Sequence, residues 1–254
     1  MGFVTILFPS LALGIVLTFL VWTVLRVVPE RFRPAGEAPV GTMVSGIVLV
    51  FAFILGLTVS QESSTLAAAR AATATEANSV GELYWDAHTL SEPEHSRLQG
   101  LLRVYSRQVI KDFPLLGQHL PSAQTYADLR AIREDILSFQ PSLPIEKAVY
   151  GDMLTQVSKL FSARRTRVDA ATDGGVPPIL IQGLIVLVFL ILGFIPYTGA
   201  LKGPRNLIFY GAFAAFLIAT LLFVTDLNNP FAGTVAVQPT SFNILFRETF
   251  THVS

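Results

Sequence analysis

Four long apolar stretches without a charged side chain constrain this sequence more than any other feature. They cover residues 1–25, 38–61, 174–201 and 206–225. A helix of roughly 20 apolar residues is long enough to cross the hydrocarbon core of a bilayer. Backbone polar groups in lipid must also be paired within their own segment, which favours helices. We therefore predict four membrane-spanning helices, near residues 3–26, 42–61, 178–199 and 205–225.

The polar residues between the second and third spans complete the predicted architecture. Their Ala-rich beginning contains no proline, so the second span is expected to continue into it as one helix. Ser91 and Glu94 form a possible capping box for the next helix, and Pro144 favours another helix start. We predict an all-α membrane protein with four transmembrane helices and a helical soluble domain inserted between spans two and three. Its parts are 1–61 with spans one and two, 62–175 as the helical extramembrane domain, 176–225 with spans three and four, and 226–254 as a C-terminal turn and interfacial segment.

Two features of this architecture have more than one interpretation. Phe242, Leu245, Phe246 and Phe250 share a helical face that suits either the membrane interface or packing against the helical domain. The side of the membrane that the helical domain faces is also open. Basic residues of the two short loops favour one side, and those before the third span favour the other.

The second span contains a stripe of small or hydroxylated residues interrupted by one leucine. At about 100° per residue these positions fall within a sector under about 100° wide. Such a stripe lines a narrow aqueous path, with the leucine as a hydrophobic constriction, or it allows another helix to approach closely, which is the commoner case. The candidate pore-lining residues are Thr42, Ser45, Leu49, Ala52, Gly56, Ser60 and Ser63.

Three arginines precede the third predicted span. Arg164, Arg165 and Arg167 are candidates for attracting anions toward an entrance or for binding lipid headgroups. The simpler alternative is an anchor beside the membrane.

The segment after the fourth span has an unusually specific composition. Asp226 is an acid at the negative end of a helix dipole, so we expect it to pair with Arg164 or Arg167. Asn229 and Pro230 are expected to turn the chain so that Phe231 docks back on the protein. Gly233 is a candidate for a positive φ angle.

Several functional classes lack support in this sequence. The four uncharged stretches contain no acid or histidine for a proton relay, which argues against proton-coupled transport. No nucleotide-binding or hydrolase motif occurs. The formal net charge of +0 gives no reason to expect nucleic acid as a partner. We predict that the chain is not an enzyme and has no catalytic residue, metal or cofactor.

Three motifs resemble a bacterial family of membrane proteins of unknown function that is described as bestrophin-like. They are "VFAFILGLTVS" with the following "ARAATATEANSVGELYWDA", then "ARRTRVDAATDGGVPPIL", and finally "DLNNPFAGTVAVQPTSF". The resemblance implies kinship with bestrophins, which are oligomeric anion channels with four spans and a helical soluble part. The acidic cluster by which calcium-gated bestrophins bind calcium has no counterpart here, so calcium gating is not implied.

The stripe and the resemblance together predict a homo-oligomeric ion channel that conducts anions such as chloride, with span two lining the pore. The expected location is the bacterial inner (plasma) membrane, crossed several times. The expected partners are the lipid bilayer, other copies of the chain in a ring, and inorganic ions. The alternative is a non-conducting membrane sensor or scaffold whose helical domain binds a partner.

Overall fold

The computed structural model describes residues 2–27, 38–198, 201 and 204–250. These residues form helices and turns without a strand, which confirms the all-α prediction. A 3-10 turn at Ile195–Thr198 and a π-helical turn at Phe246–Phe250 extend two of the helices. The α-helices are α1 (Gly2–Val27), α2 (Ala38–Ala87), α3 (Glu94–Leu116), α4 (Ala123–Ser138), α5 (Pro144–Thr172), α6 (Pro178–Phe194), α7 (Pro204–Leu227) and α8 (Thr240–Leu245).

Four of the described helices are long and apolar enough to cross a membrane. The segments are Ile6–Val24, Val40–Ala87, Pro178–Thr198 and Arg205–Leu227. The second belongs to α2, a continuous helix of 50 residues. The prediction that the second span runs on into the polar region is therefore confirmed. After Pro39 in its first turn, where proline is tolerated, α2 contains no proline that would interrupt it.

The chain divides into two compact units. The first consists of Met1–Ser63 with Val176–Asn228, and the second of Ser64–Gly175 with Asn229–Ser254. In the first unit, Phe51 of α2 belongs to a core with residues of α6 and α7. Helices α1 and α7 approach closely at two glycines, since a Cβ atom built on Gly14 would lie 2.9 Å from the Cβ of Ala215 and from the carbonyl oxygen of Gly211. Small residues thus set this helix contact, as they commonly do in membranes.

The second unit has an apolar core built from α2, α3, α4 and α5. Its completely buried side chains include Tyr84, Leu102 and Leu129. The C-terminal segment joins this core, because Phe242 and Phe250 are buried in the same cluster. The packing alternative for this segment is therefore favoured over the membrane interface.

Ser91 contacts the start of α5 and does not cap α3 as the sequence predicted. Helix α3 begins after Pro93 with no side-chain cap, so the predicted capping box is wrong. The hydroxyl of Ser91 instead donates to Oε1 of Glu146 over 2.8 Å. The other oxygen of Glu146 accepts the amides of Ser142 at 2.9 Å and Leu143 at 3.0 Å. The Leu143 amide first, then the Ser91 hydroxyl and the Ser142 amide, lower the pKa of Glu146 to about 2.

We expect Glu146→Gln to lower the thermal unfolding temperature in a pH-dependent way. The folded pKa of Glu146 lies below its ordinary value of 4.5, so its stabilisation is fully present above pH 4.5 and is lost as the pH falls toward about 2. Thermal melts of wild type and variant should therefore differ most at neutral pH and converge in acid. Glu134→Gln is the matched control, because that side chain is 68% exposed. A constant difference for Glu146→Gln at every pH would contradict this assignment.

Candidate functional site

All seven residues of the α2 stripe are exposed within the single chain. Leu49 is the most prominent, at 72% of its full exposure. A Cβ atom built on Gly56 would meet nothing within 4 Å. The opposite side of the helix is packed, with Phe51 at 4%, Thr58 at 2% and Glu62 at 2% exposure. The stripe residues Thr42, Ser45, Leu49, Ala52, Gly56, Ser60 and Ser63 therefore take no part in the core of their own unit.

The exposed side of α2 has two different halves. Met43, Val50, Phe53 and Leu57 are bulky, apolar and exposed, and they lie on the flank next to the stripe. At about 100° per residue, the bulky half is centred about 100° from the middle of the stripe. The bulky half suits lipid tails. The small hydroxylated half suits water and ions, or the surface of another helix.

The three candidate arginines lie in very different surroundings. Arg165 is exposed. Arg164 is buried to 6% exposure and donates to the carbonyl oxygen of Ser122 over 3.0 Å. Arg167 is completely buried against Glu76. Of the three, only Arg165 is therefore exposed to bulk solvent.

The Arg167–Glu76 pair is a two-point ionic contact inside the second unit. Nε of Arg167 lies 2.6 Å from one carboxylate oxygen of Glu76, and a terminal guanidinium nitrogen lies 3.0 Å from the other. Tyr105 adds its hydroxyl to Glu76 at 2.5 Å, and the Phe113 ring lies 5.5 Å from the Arg167 guanidinium carbon. This contact joins α2 to α5 across 91 residues of sequence. The structure thus gives Arg164 and Arg167 partners other than Asp226.

We expect Arg167→Met to destabilise the protein strongly. Removal of one partner leaves the Glu76 carboxylate buried without its counter-ion, which typically costs about 3–5 kcal/mol. Thermal unfolding of the purified protein measures the effect. Arg130→Ala is the control, because its ion pair with Glu134 is exposed and such pairs contribute about 1 kcal/mol or less. Equal losses for the two variants would contradict the role given to Arg167.

The segment after α7 turns back onto α3 within the second unit. The side-chain amide of Asn229 donates to the carbonyl oxygen of Gly117 over 3.0 Å, and its oxygen accepts the amide of Phe231 at 2.9 Å. Phe231 is buried, and its ring centre lies 5.8 Å from that of Phe113. Pro230 is also buried, and its carbonyl oxygen accepts the amide of Val237 at 2.7 Å.

Gly233 and Asp226 are the two other residues of this segment that the sequence predictions named. Gly233 has a φ of 80°, a value that suits glycine. Asp226 lies in the last turn of α7.

One backbone amide connects residues that sequence reasoning did not bring together. The amide of Val176 donates to Oε1 of Glu62 at 2.9 Å and to the side-chain oxygen of Asn228 at 2.7 Å. Each of these residues borders a predicted span, and all three belong to the first unit. The motifs around spans two, three and four thus meet at a single hydrogen-bonding point. No spacing rule connects positions 62, 176 and 228, so the contact leaves no signal in the sequence.

We expect opposite effects from the same substitution at two glycines near α3. A Cβ atom on Gly117 would lie 2.9 Å from the carbonyl oxygen of Phe231, so Gly117→Ala should displace the turn and lower the unfolding temperature. Gly100 lies within α3, and its Cβ would meet nothing within 4 Å. Gly100→Ala should therefore stabilise the helix by up to about 1 kcal/mol. Thermal melts that rank the two variants in the other order would contradict this packing.

Comparisons with known proteins relate the chain to a membrane family. The Bestrophin-like domain matches residues 11–242. Two crystal structures of point variants of a bacterial bestrophin homologue from Klebsiella pneumoniae are similar in fold. The first has a TM-score of 0.72 at 16% identity and covers 97% of this chain and 96% of that one. The second has a TM-score of 0.70 at 18% identity and covers 95% and 96%.

A crystal structure described as a membrane protein also matches, with a TM-score of 0.71 and 19% identity over 94% of this chain and 96% of that one. No functionally curated protein matches in sequence. These TM-scores and coverages show a shared fold, and the domain match covers most of the sequence. The resemblance seen in the sequence motifs is thereby confirmed, and the chain belongs to the bestrophin-like family.

Proposed function

We propose that this chain forms a homo-oligomeric ion channel that conducts anions, with α2 lining the pore. The exposed stripe of α2 carries the proposal, since all its residues except Leu49 are small or hydroxylated and all seven are exposed within the chain. A symmetric ring would bring one such stripe from each copy to a common axis. Membership of the bestrophin-like family supports this assignment.

The proposed topology has four transmembrane helices in the bacterial inner membrane. An even number of crossings puts both ends of the chain and the helical domain at 62–175 on the same side. The spans then lie within residues 1–61 and 176–225, and residues 226–254 return to the helical domain. The four long apolar helices support this arrangement.

The chemistry of the stripe is compatible with anion passage. The hydroxyl group of Ser60 can donate a hydrogen bond to an anion that has lost part of its hydration shell. The hydroxyl of Ser45 donates to the carbonyl oxygen of Gly41 over 3.0 Å and would have to rotate to do the same. Leu49 would narrow the path as an apolar ring, a common form of gate. The exposed Arg165 would add positive potential near the entrance of the helical domain.

We expect substitutions on the stripe to change conductance, and matched substitutions on the bulky flank to leave it unchanged. Leu49→Ala removes the constriction and should raise single-channel conductance. Ser45→Trp should block the path. The controls are Val50→Ala and Gly46→Trp, because both residues are exposed on the flank. Planar-bilayer recording measures all four. Unaltered conductance in both stripe variants, or equal effects of the controls, would count against the pore.

A non-conducting sensor or scaffold is the second candidate, favoured by the continuity of α2 from Ala38 to Ala87. A continuous helix can transmit a change from a ligand-binding domain to the membrane. In that case the stripe would be closed by contacts between copies. The chain has no cysteine, so a single Ser45→Cys substitution gives a clean discriminator. A water-soluble thiol reagent should modify this site in the channel and spare it in the scaffold.

A further inference from the structure

A cavity of about 350 Å³ lies within the second unit, between the beginning of α4 and the C-terminal half of α5. None of its lining residues belongs to the α2 stripe, and Arg165 is the one residue that it shares with the proposed conduction path. Its volume falls at the lower end of the range for small-molecule sites, roughly 300–1,000 Å³. The cavity is therefore large enough for a compact organic molecule.

The charged groups of the cavity favour an anion. Arg164 and Arg165 line it together with a single acid, Asp169. Arg164 is buried, and its bond to the Ser122 carbonyl oxygen holds the guanidinium in place. A preorganised guanidinium recognises a carboxylate with little loss of side-chain entropy. Two cations and one acid leave one positive charge, which matches a monoanion.

The remaining wall is apolar. Tyr126, Leu129, Phe161 and Val168 supply most of it. The rings of Tyr126 and Phe161 meet edge to face, with centres 6.4 Å apart and an interplanar angle of 83°. An inorganic ion would leave this surface without a partner, whereas an aromatic or aliphatic body would cover it.

We propose that this cavity binds a small organic monoanion, namely a carboxylate attached to an aromatic or short aliphatic body. The carboxylate lies against Arg164 and Arg165, and the apolar body lies against the wall that Tyr126 and Phe161 form together. This ligand site is independent of ion conduction, and the oligomer binds the ligand whether or not it carries current.

Calorimetric titration of the purified full-length protein in detergent tests the site. The probes are benzoate and hexanoate, with benzyl alcohol as the neutral analogue and inorganic phosphate as the anion without an apolar body. Both carboxylates should bind. The two comparators should bind at least tenfold more weakly than benzoate, because benzyl alcohol lacks the carboxylate and phosphate lacks the apolar body. Failure of benzoate to bind, or equal binding of either comparator, would overturn the proposal.

Two variants locate the binding on the cavity. Arg165→Ala should weaken benzoate binding about tenfold or more, since it removes a charge-assisted hydrogen bond to the carboxylate. Tyr126→Ala should weaken it through loss of the apolar wall. Both side chains are exposed, so the fold does not depend on them. Arg107→Ala removes an exposed arginine outside the cavity and should leave the affinity unchanged. An equal loss in Arg107→Ala would show that the effect of Arg165 is only one of overall charge.

Discussion

The rest of the structure depends on the burial of one face of α2, because this helix enters the cores of both compact units. Phe51 is buried in the first unit, and Tyr84 is buried in the second. The two parts of the helix follow different physical rules. In water, the burial of apolar surface drives helices together. In lipid, close packing and hydrogen bonds between helices stabilise their contacts instead. The uncovered stripe lies in the part with membrane composition, where small residues allow either a helix contact or an aqueous path.

The Glu76–Arg167 pair gives the second unit much of its specificity. A buried ion pair is not in itself strong evidence for stability, since desolvation offsets the attraction. Its geometry is demanding, however, because both carboxylate oxygens of Glu76 in α2 bind Arg167 of α5 while one of them also accepts the Tyr105 hydroxyl of α3. We infer that the pair fixes how these helices pack. It thereby also sets the position of Arg164, less than one turn away, at the wall of the proposed anion cavity.

Local patterns in the sequence predicted much of the secondary structure. The uncharged stretches predicted the long apolar helices, and Pro144 predicted the start of α5. The lack of proline after residue 39 predicted that α2 continues without a break. Contacts between residues far apart in the sequence could not be predicted from such local patterns. Ser91 had a plausible local partner in Glu94, but Glu146 offered an acceptor 55 residues away. Arg167 looked like a surface cation, because no spacing rule connects it to Glu76. The stripe could be recognised because its residues repeat at helical spacing. Its role depends on how several copies of the chain are arranged, which this spacing does not reveal.

The reversal potential of the purified protein in a planar bilayer under a KCl gradient tests the central claim most directly. An anion channel predicts a steady current that reverses near the chloride equilibrium potential. Reversal near the potassium equilibrium potential would contradict anion selectivity and would require a different account of the hydroxylated stripe. An absence of current from a folded, oligomeric preparation would contradict the channel itself and favour the scaffold.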